Sequence, residues 1–439
     1  MLSVGDVILM YLSLYLVLAV RYNDFSLFPG PQSRDFFLNF SVIHLVWLGL
    51  LYSFDFYDEF RNKNAVAMAK DLFLFAVLAF AFGVVYFYLN LHSLISPKTI
   101  LFADVILFSL FIFLRSLFWG RVAGGKRFER KIAVAGWGPE MEELAANYLP
   151  RANYRVAAVF RPSSLDGFEN LDIYTRGDDF IRAVKEKGVE LIVLAVPQES
   201  RVALSDLLSN IDIDIKVVGL EGFYEEVAGK IPLRLIDKFW VMEIIPRTSR
   251  KGYMIIKRTF DVFFSFLGLL ATAIIFPLAA LAIKIDSRGP VFYVQNRKGK
   301  GGRTFKFYKF RTMTATDEQY SVWRTGRDEQ VTRVGKILKK AHIDEFPQFF
   351  NILRGDISFV GPRPEWDRLA LDYEKKISLY RYRYLVRPGF TGWAQINYKA
   401  STSIKEAEEK FEYDLYYIKN RSFVLDISII AKTIQLFFR

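Results

Sequence analysis

"FDVFFSFLGLLATAIIFPLAALAIKI", residues 260–285, holds 22 consecutive uncharged residues, from Val262 to Ile283. At 1.5 Å per residue such a helix would reach ~33 Å, enough to cross the hydrocarbon of a bilayer. The flanks point to another path. Lys251, Lys257 and Arg258 precede the run, and Lys284, Arg288, Arg297 and Lys298 follow it. Basic residues favour the cytoplasmic side, so both ends are expected on one face. Pro277 lacks an N–H and crowds the preceding turn, which makes it the natural place to bend. The residues therefore predict a re-entrant hairpin entering and leaving one leaflet, with a kinked spanning helix as the alternative.

Four further apolar runs lie upstream, at about 5–20, 36–53, 71–90 and 99–119, each near the ~20 residues of a span. The first lacks the basic flank and small-residue cleavage site of a signal peptide, so it is expected to remain as a span. Together they predict a four-helix transmembrane domain over residues 1–120. Arg61, Lys63 and Lys70 between the second and third runs, and Arg121, Lys126, Arg127, Arg130 and Lys131 after the fourth, place both ends of this domain in the cytoplasm.

From Arg130 the pattern becomes alternating. "RKIAVAGWGPEMEELAANYL" reads as strand, turn and helix, "YRVAAVF" as a strand, "DDFIRAVKEKGVELIVLAVPQ" as helix then strand, and "DIKVVGL" as another strand. This predicts a doubly wound, Rossmann-like α/β domain over 130–240. Its turn has only two glycines of a dinucleotide fingerprint, Gly136 and Gly138, with Met141 where close helix packing wants a small residue. A regulatory or architectural module is expected here rather than a working nucleotide site.

Composition narrows the chemistry. The 439 residues are 52% hydrophobic and 16% aromatic, and the mean hydropathy is positive. Cysteine is absent and histidine occurs three times, which excludes thiolate chemistry and disfavours a His-rich zinc site or a relayed triad. Carboxylates remain. The net charge is +12, and residues 250–313 alone hold thirteen Lys or Arg against two acids, a block suited to anionic lipid or a phosphorylated substrate, with nucleic acid or a merely solvated face as competing readings.

The residues from 250 to 439 carry the motifs. "NRKGKGGRTFKFYKFRTM" combines Gly299, Gly301 and Gly302 with Arg297, Lys309 and Arg311, and Arg363 in "GPRPEW" and Arg387 in "VRPGFTGWAQIN" add two basic points. Glycines let backbone amides approach an anion, and arginine forks match phosphate oxygens. "HIDEFPQFFN", residues 342–351, sets Asp344 beside Glu345. Pro347 suits a first helical turn, so Asp344 is expected at or near an N-cap with Glu345 in the first turn. An aspartate is ionised at neutral pH and can attack phosphorus without a histidine base, while Glu345 and Asp344 could hold Mg2+ against the phosphates. A plain cap with a dipole partner is the competing reading of the same pair.

"KRTFDV", "GPVFYVQNRKGKGGRTFKFYKFRTM", "DEFPQFFNILRGDISFVGPRPE", "RPGFTGWAQIN" and "YDLYYIKNRS", in that order, resemble the bacterial sugar transferase family, the monotopic phosphoglycosyl transferases. The likeness covers about two fifths of the chain, and the upstream regions resemble those of the family's large members. It implies a mostly α-helical catalytic domain with a re-entrant helix over about 258–285, broken near Pro277. Many relatives carry Ser before that proline, where this chain has Phe276. It further implies Asp344 as nucleophile, Glu345 as Mg2+ ligand, and transfer of a sugar 1-phosphate from a UDP-sugar to undecaprenyl phosphate with release of UMP. The expected setting is the bacterial inner membrane with the catalytic domain on the cytoplasmic face, at the first membrane step of exopolysaccharide, capsule or O-antigen synthesis. The partners implied are the UDP-sugar, the polyprenyl phosphate and the bilayer, with no nucleic acid and with a homodimer as an option.

Two other classes fit parts of the sequence. Tyr253-x-x-x-Lys257 has the spacing of a short-chain dehydrogenase relay, so a membrane-bound nucleotide-sugar dehydratase or reductase is one alternative. A non-catalytic membrane scaffold is the other, and it has no need of the Asp-Glu pair.

Overall fold

The computed structural model describes residues 2–23, 31–53, 56, 65–89, 98–123, 130–150, 152–161, 172–196, 215–236, 251–314, 331–398, 401 and 403–437. The chain forms two compact units, one comprising Met1–Ala228 with Ile434–Arg439, the other Gly229–Thr433.

The first unit starts with helices α1 (Leu2–Tyr22), α2 (Pro31–Ser53), α3 (Ala65–Leu89) and α4 (Lys98–Ala123). Gly5–Tyr22, Asp71–Tyr88 and Thr99–Phe118 are long and apolar enough to cross a bilayer, and α2 contributes the shorter apolar stretch Phe37–Tyr52. These helices are apolar all round. Phe40, Trp47, Phe75 and Phe108 fill the bundle interior while Val20, Phe73 and Tyr88 are exposed, as expected of helices solvated by lipid. Their buried charges are paired: Asp104 accepts from Ser13 Oγ at 2.5 Å and lies 3.1 Å from His44 Nε2, and Arg115 meets Asp6 at 2.5 Å. Ionisable groups inside membranes face the bundle interior in this way. The chain is thus membrane-associated. Of the basic residues on which the orientation rests, Arg61, Lys63, Lys126 and Arg127 lie outside the described residues.

A five-stranded parallel sheet follows, with strands β1 (Arg130–Ala135), β2 (Tyr154–Phe160), β3 (Ile173–Tyr174), β4 (Leu191–Leu194) and β5 (Lys216–Gly219) in the order β3-β2-β1-β4-β5. Helices α5 (Pro139–Asn147), α6 (Gly177–Glu186) and α7 (Leu220–Ala228) accompany it. Residues 197–214, between β4 and β5, lie outside the described residues. The apolar centre of β1 is fully buried, as both-face coverage of a parallel strand requires. Gly136 turns the chain from β1 with φ of 90°, and a Cβ there would stand 2.4 Å from the Ala195 carbonyl oxygen. Met141 is fully buried in α5, so it serves packing.

The second unit is built on α8 (Lys251–Asp286), a 36-residue helix with Pro277 inside it. Laid straight it would measure ~54 Å, well beyond the ~30 Å of hydrocarbon. Helical conformation continues on both sides of Pro277, and Phe276 before it stacks on Phe292 and Phe310 at 5.5 and 6.1 Å. The hairpin β6 (Phe292–Lys298) and β7 (Thr304–Phe310) is antiparallel. Then come α9 (Arg333–Lys340), α10 (Gln348–Arg354), β8 (Ser358–Val360), α11 (Asp367–Lys376), β9 (Gly389–Thr391), α12 (Trp393–Asn397), α13 (Ile404–Asn420) and α14 (Phe423–Phe437). β8 and β9 pair in parallel.

α8 is fastened along its length to these elements. Near its start, Arg258 donates both terminal nitrogens to the carbonyls of Ile352 and Leu353 at 2.7 Å, closing the C-terminus of α10. Asp261 accepts from Ser358 Oγ and Phe359 N at 3.0 Å. Midway, Gly268 abuts Phe349 so closely that a Cβ would lie 2.7 Å from the ring. Near the end, Ala279 and Ile283 pack with Phe310 and Leu338. The opposite face, including Phe263, Leu270, Ile274, Leu278 and Ile285, is exposed and apolar. α14 buries Asp426, Ser428, Ile429 and Ala431 and packs Ile429 with Val360 and Tyr417.

Candidate active site

Asp344 and Glu345 do not begin a helix. They occupy a 3-10 turn, Ile343–Glu345, entered through His342 in the left-handed region at φ 53°. Pro347 is the N-cap residue of α10, so the expected N-cap role of Asp344 is replaced by a position one short turn earlier. The reason is spatial: α9 ends at Lys340, and only a tight turn at His342 brings the chain back beside β7.

That turn points Glu345 at two cations. Lys309 Nζ from β7 lies 2.5 Å from Glu345 Oε1, and the Arg363 guanidinium donates to the same oxygen at 2.9 Å. Burial opposes the charge of Glu345, but Arg363 and Lys309 outweigh it and hold the carboxyl down to about 2. Asp344 has the opposite fate. It is 7% exposed, and burial pushes its carboxyl above the usual aspartate value, with the adjacent Glu345 charge adding to the rise and Lys309 opposing it. Two neighbouring carboxylates thus have their proton affinities driven apart, the pattern of a pair with divided roles. Burial also lowers Lys309.

The supports of the site are polar and buried. Arg297 lies 4.1 Å over the Phe307 ring and donates to the Pro364 carbonyl at 2.7 Å, while burial and the like charge of Arg363 bring it down to about 10. Glu365 accepts from Lys410 at 2.7 Å and faces Arg383, itself bound to Asp414 at 2.7 Å. This network fixes the segment carrying Arg363. Asn351 donates to the Lys306 carbonyl and to Asp356, and its own carbonyl accepts from Tyr308 N, tying α10 to the strand that bears Lys309. Gly361 and Gly389 let two main chains cross: a Cβ on Gly389 would lie 2.1 Å from Gly361 N. The motif glycines on either side of Arg363 therefore serve contact between backbones.

Of the basic residues singled out from the sequence, Lys309, Arg363 and Arg297 converge around Glu345. Arg311 does not. It is buried, and its terminal nitrogens donate to the carbonyls of Arg288 and Ser287 and to Ser287 Oγ at 2.7–2.9 Å, holding the end of α8. Arg387 lines a separate cavity beside the first half of α8, which Asp344, Glu345, Lys309 and Arg363 do not line. Tyr253 and Lys257 both donate to Asp426 Oδ2, at 2.7 and 2.6 Å, so this pair anchors α8 to α14. Sequence reading missed Asn351, Glu365, Arg383 and Asp414. Their one signal was the placing of an amide or charge inside otherwise apolar or aromatic runs, such as Asp414 in "KFEYDLYYI".

The described residues contain no cluster of three His, Cys, Asp or Glu able to hold a metal alone. Asp344 and Glu345 still suit Mg2+. Both ion pairs of Glu345 use Oε1, leaving hard carboxylate oxygens of the kind that bind this ion with phosphate and water as further ligands.

A spanning or re-entrant helix, a carboxylate pair with divided proton affinities and basic groups from a β-hairpin and one loop suit a membrane-associated group-transfer protein. The chain belongs to the bacterial sugar transferase family, whose profile matches residues 252–439. A Klebsiella pneumoniae UDP-glucose:undecaprenyl-phosphate glucose-1-phosphate transferase is 30% identical over 90% of this chain and 93% of its own. An Aeromonas hydrophila UDP-N-acetylgalactosamine-undecaprenyl-phosphate N-acetylgalactosaminephosphotransferase is 38% identical over 50% of this chain. A Xanthomonas campestris UDP-glucose:undecaprenyl-phosphate glucose-1-phosphate transferase is 34% identical over 58%. The chain spans about half the length of these last two, 52% and 54%.

Proposed function

We propose that this protein transfers a sugar 1-phosphate from a UDP-sugar to undecaprenyl phosphate and releases UMP. The carrying observation is the division of the pair: Glu345 is neutralised by Lys309 and Arg363, whereas Asp344 is buried and raised. A carboxylate whose charge is already spent on two cations is a poor nucleophile. Asp344, desolvated and more basic, is the better one.

In the first step an Asp344 oxygen bonds to the β-phosphorus of the UDP-sugar as the bond to the α-phosphate oxygen breaks, and UMP leaves with that electron pair. In the second, an oxygen of the lipid phosphate attacks the same phosphorus and the Asp344 carboxylate departs. Lys309, Arg363 and Arg297 offset the phosphate charge. Mg2+, held by Glu345 and Asp344, would supply further neutralisation of the diphosphate when bound.

The lipid acceptor places the site at a membrane interface. We read α8 as entering and leaving one leaflet, because its first turns are bonded through Arg258 to α10 and its end is bonded by Arg311, just beyond β7, two neighbouring polar elements, while its other face is apolar and exposed. The catalytic face would then be cytoplasmic, in the bacterial inner membrane.

Detergent-purified protein with Mg2+, undecaprenyl phosphate and a panel of UDP-sugars tests the proposal. UMP that depends on the native Asp344 and is absent in Asp344→Asn is the expected result. Release of UDP instead would mean plain glycosyl transfer and would overturn the aspartyl step.

A further inference from the structure

A cavity of about 960 Å³ lies along the first half of α8 and not at the carboxylate pair. Its size suits a headgroup with the first methylenes of its chains. Five cations line it, Lys257, Arg258, Lys300, Arg387 and Arg421, against one carboxylate, Asp261.

These charges are unevenly used. Lys257 is bound to Asp426, and Arg258 is spent on the end of α10. Asp261 gives one oxygen to Ser358 and Phe359. Arg387 and Lys300 are exposed, and among the described residues neither side chain takes part in a hydrogen bond or ion pair. The remaining wall is greasy: Val262, Phe263 and Phe266 line the cavity and are 38%, 55% and 54% exposed. A surplus of positive charge thus adjoins an uncovered apolar stripe on a membrane helix.

We propose that this cavity is a binding site for an anionic glycerophospholipid, with its phosphate on Arg387 and Lys300 and its acyl chains along Val262, Phe263 and Phe266. A lipid phosphate is the ligand that satisfies both halves of the wall at once, since basic residues at an interface attract anionic headgroups and the apolar helix face takes the chains. The occupant is a bilayer lipid and not the acceptor, because none of Asp344, Glu345, Lys309 or Arg363 lines the space. This site is independent of the proposed sugar-phosphate transfer. Its lipid would brace the same stretch of α8 that Arg258 joins to α10.

Full-length protein in nanodiscs of phosphatidylcholine with phosphatidylglycerol, released into native mass spectrometry, counts the lipids retained. One phosphatidylglycerol held at least tenfold in preference to phosphatidylcholine is expected, falling at least tenfold in Arg387→Ala. Lys300→Glu, an exposed change at the tip of the β6–β7 hairpin, should weaken retention as well, and keeps the test valid should Arg387→Ala fail to fold. Asp344→Asn should retain the lipid as wild type does. Retention unaffected by either basic substitution would overturn the proposal. So would displacement of phosphatidylglycerol by equimolar undecaprenyl phosphate, which would make the cavity the acceptor's own.

Discussion

Glu345→Gln keeps the shape of the side chain and removes its charge, leaving the half-buried Lys309 and Arg363 without their shared partner. Moving the carboxyl from its ordinary 4.5 to about 2 corresponds to about 3 kcal/mol of stabilisation at neutral pH. Breaking one side of a buried ion pair costs a similar 3–5 kcal/mol or so. The sign follows from the depressed value. The contribution of Glu345 is complete above about 4.5 and is lost as pH falls through about 2. Wild type and Glu345→Gln should therefore differ by about 3 kcal/mol at pH 7 and converge toward pH 2. Glu365, also held down to about 2, acts in the same range in both proteins and cancels in the difference. Denaturant unfolding in detergent, followed by tryptophan fluorescence from pH 7 downward, measures the gap. A variant as stable as wild type at pH 7, or a gap that widens on acidification, would refute the reasoning.

Asp344→Asn should abolish UMP formation while leaving the melting temperature equal to or above that of wild type at pH 7, because burial disfavours the aspartate charge; a melting temperature several degrees lower would contradict this. The acid limb of kcat/KM should lie above the ordinary aspartate value of 3.8, since activity needs Asp344 ionised and is lost as pH falls through its raised value; a limb at or below 3.8 would assign it elsewhere. Gly389→Ala should cost about 1–3 kcal/mol by overpacking and lower UMP formation, because the Cβ would meet Gly361 N at 2.1 Å, two residues before Arg363. Unchanged stability would mean that the two backbones can part freely.

What could be read from the residues alone was the periodic and the clustered. The apolar runs and the strand and helix alternation after Arg130 announce themselves locally, and the observed elements follow them, whereas the basic glycine-rich stretch showed its composition but not that it folds as the β6–β7 hairpin. The division of labour within the carboxylate pair was not legible, because it depends on which cations the fold delivers. Lys309 is 36 positions from Glu345 and Arg363 is 18, whereas Arg311, only two residues beyond Lys309, turns to the end of α8. Alternation along β7 would have separated Lys309 from its immediate neighbours but could not tell which face meets the turn at Asp344. The Glu365–Arg383–Asp414 network was hidden for the same reason, since its members are far apart in sequence and no local pattern pairs them. The N-cap expectation failed at His342, whose left-handed backbone nothing in its chemical type demanded.

Arg258 joins the long apolar helix α8 and the turn bearing Asp344, the proposed nucleophile, into one mechanical part. Its two bonds end on the last carbonyls of α10, the short helix that starts directly after Asp344, Glu345 and Pro347, and no loop intervenes to absorb a displacement. A tilt of α8 is thus a movement of Asp344 and Glu345. If α8 sits in one leaflet as proposed, bilayer thickness and lateral pressure, which would act on its exposed face, become variables of the proposed chemistry.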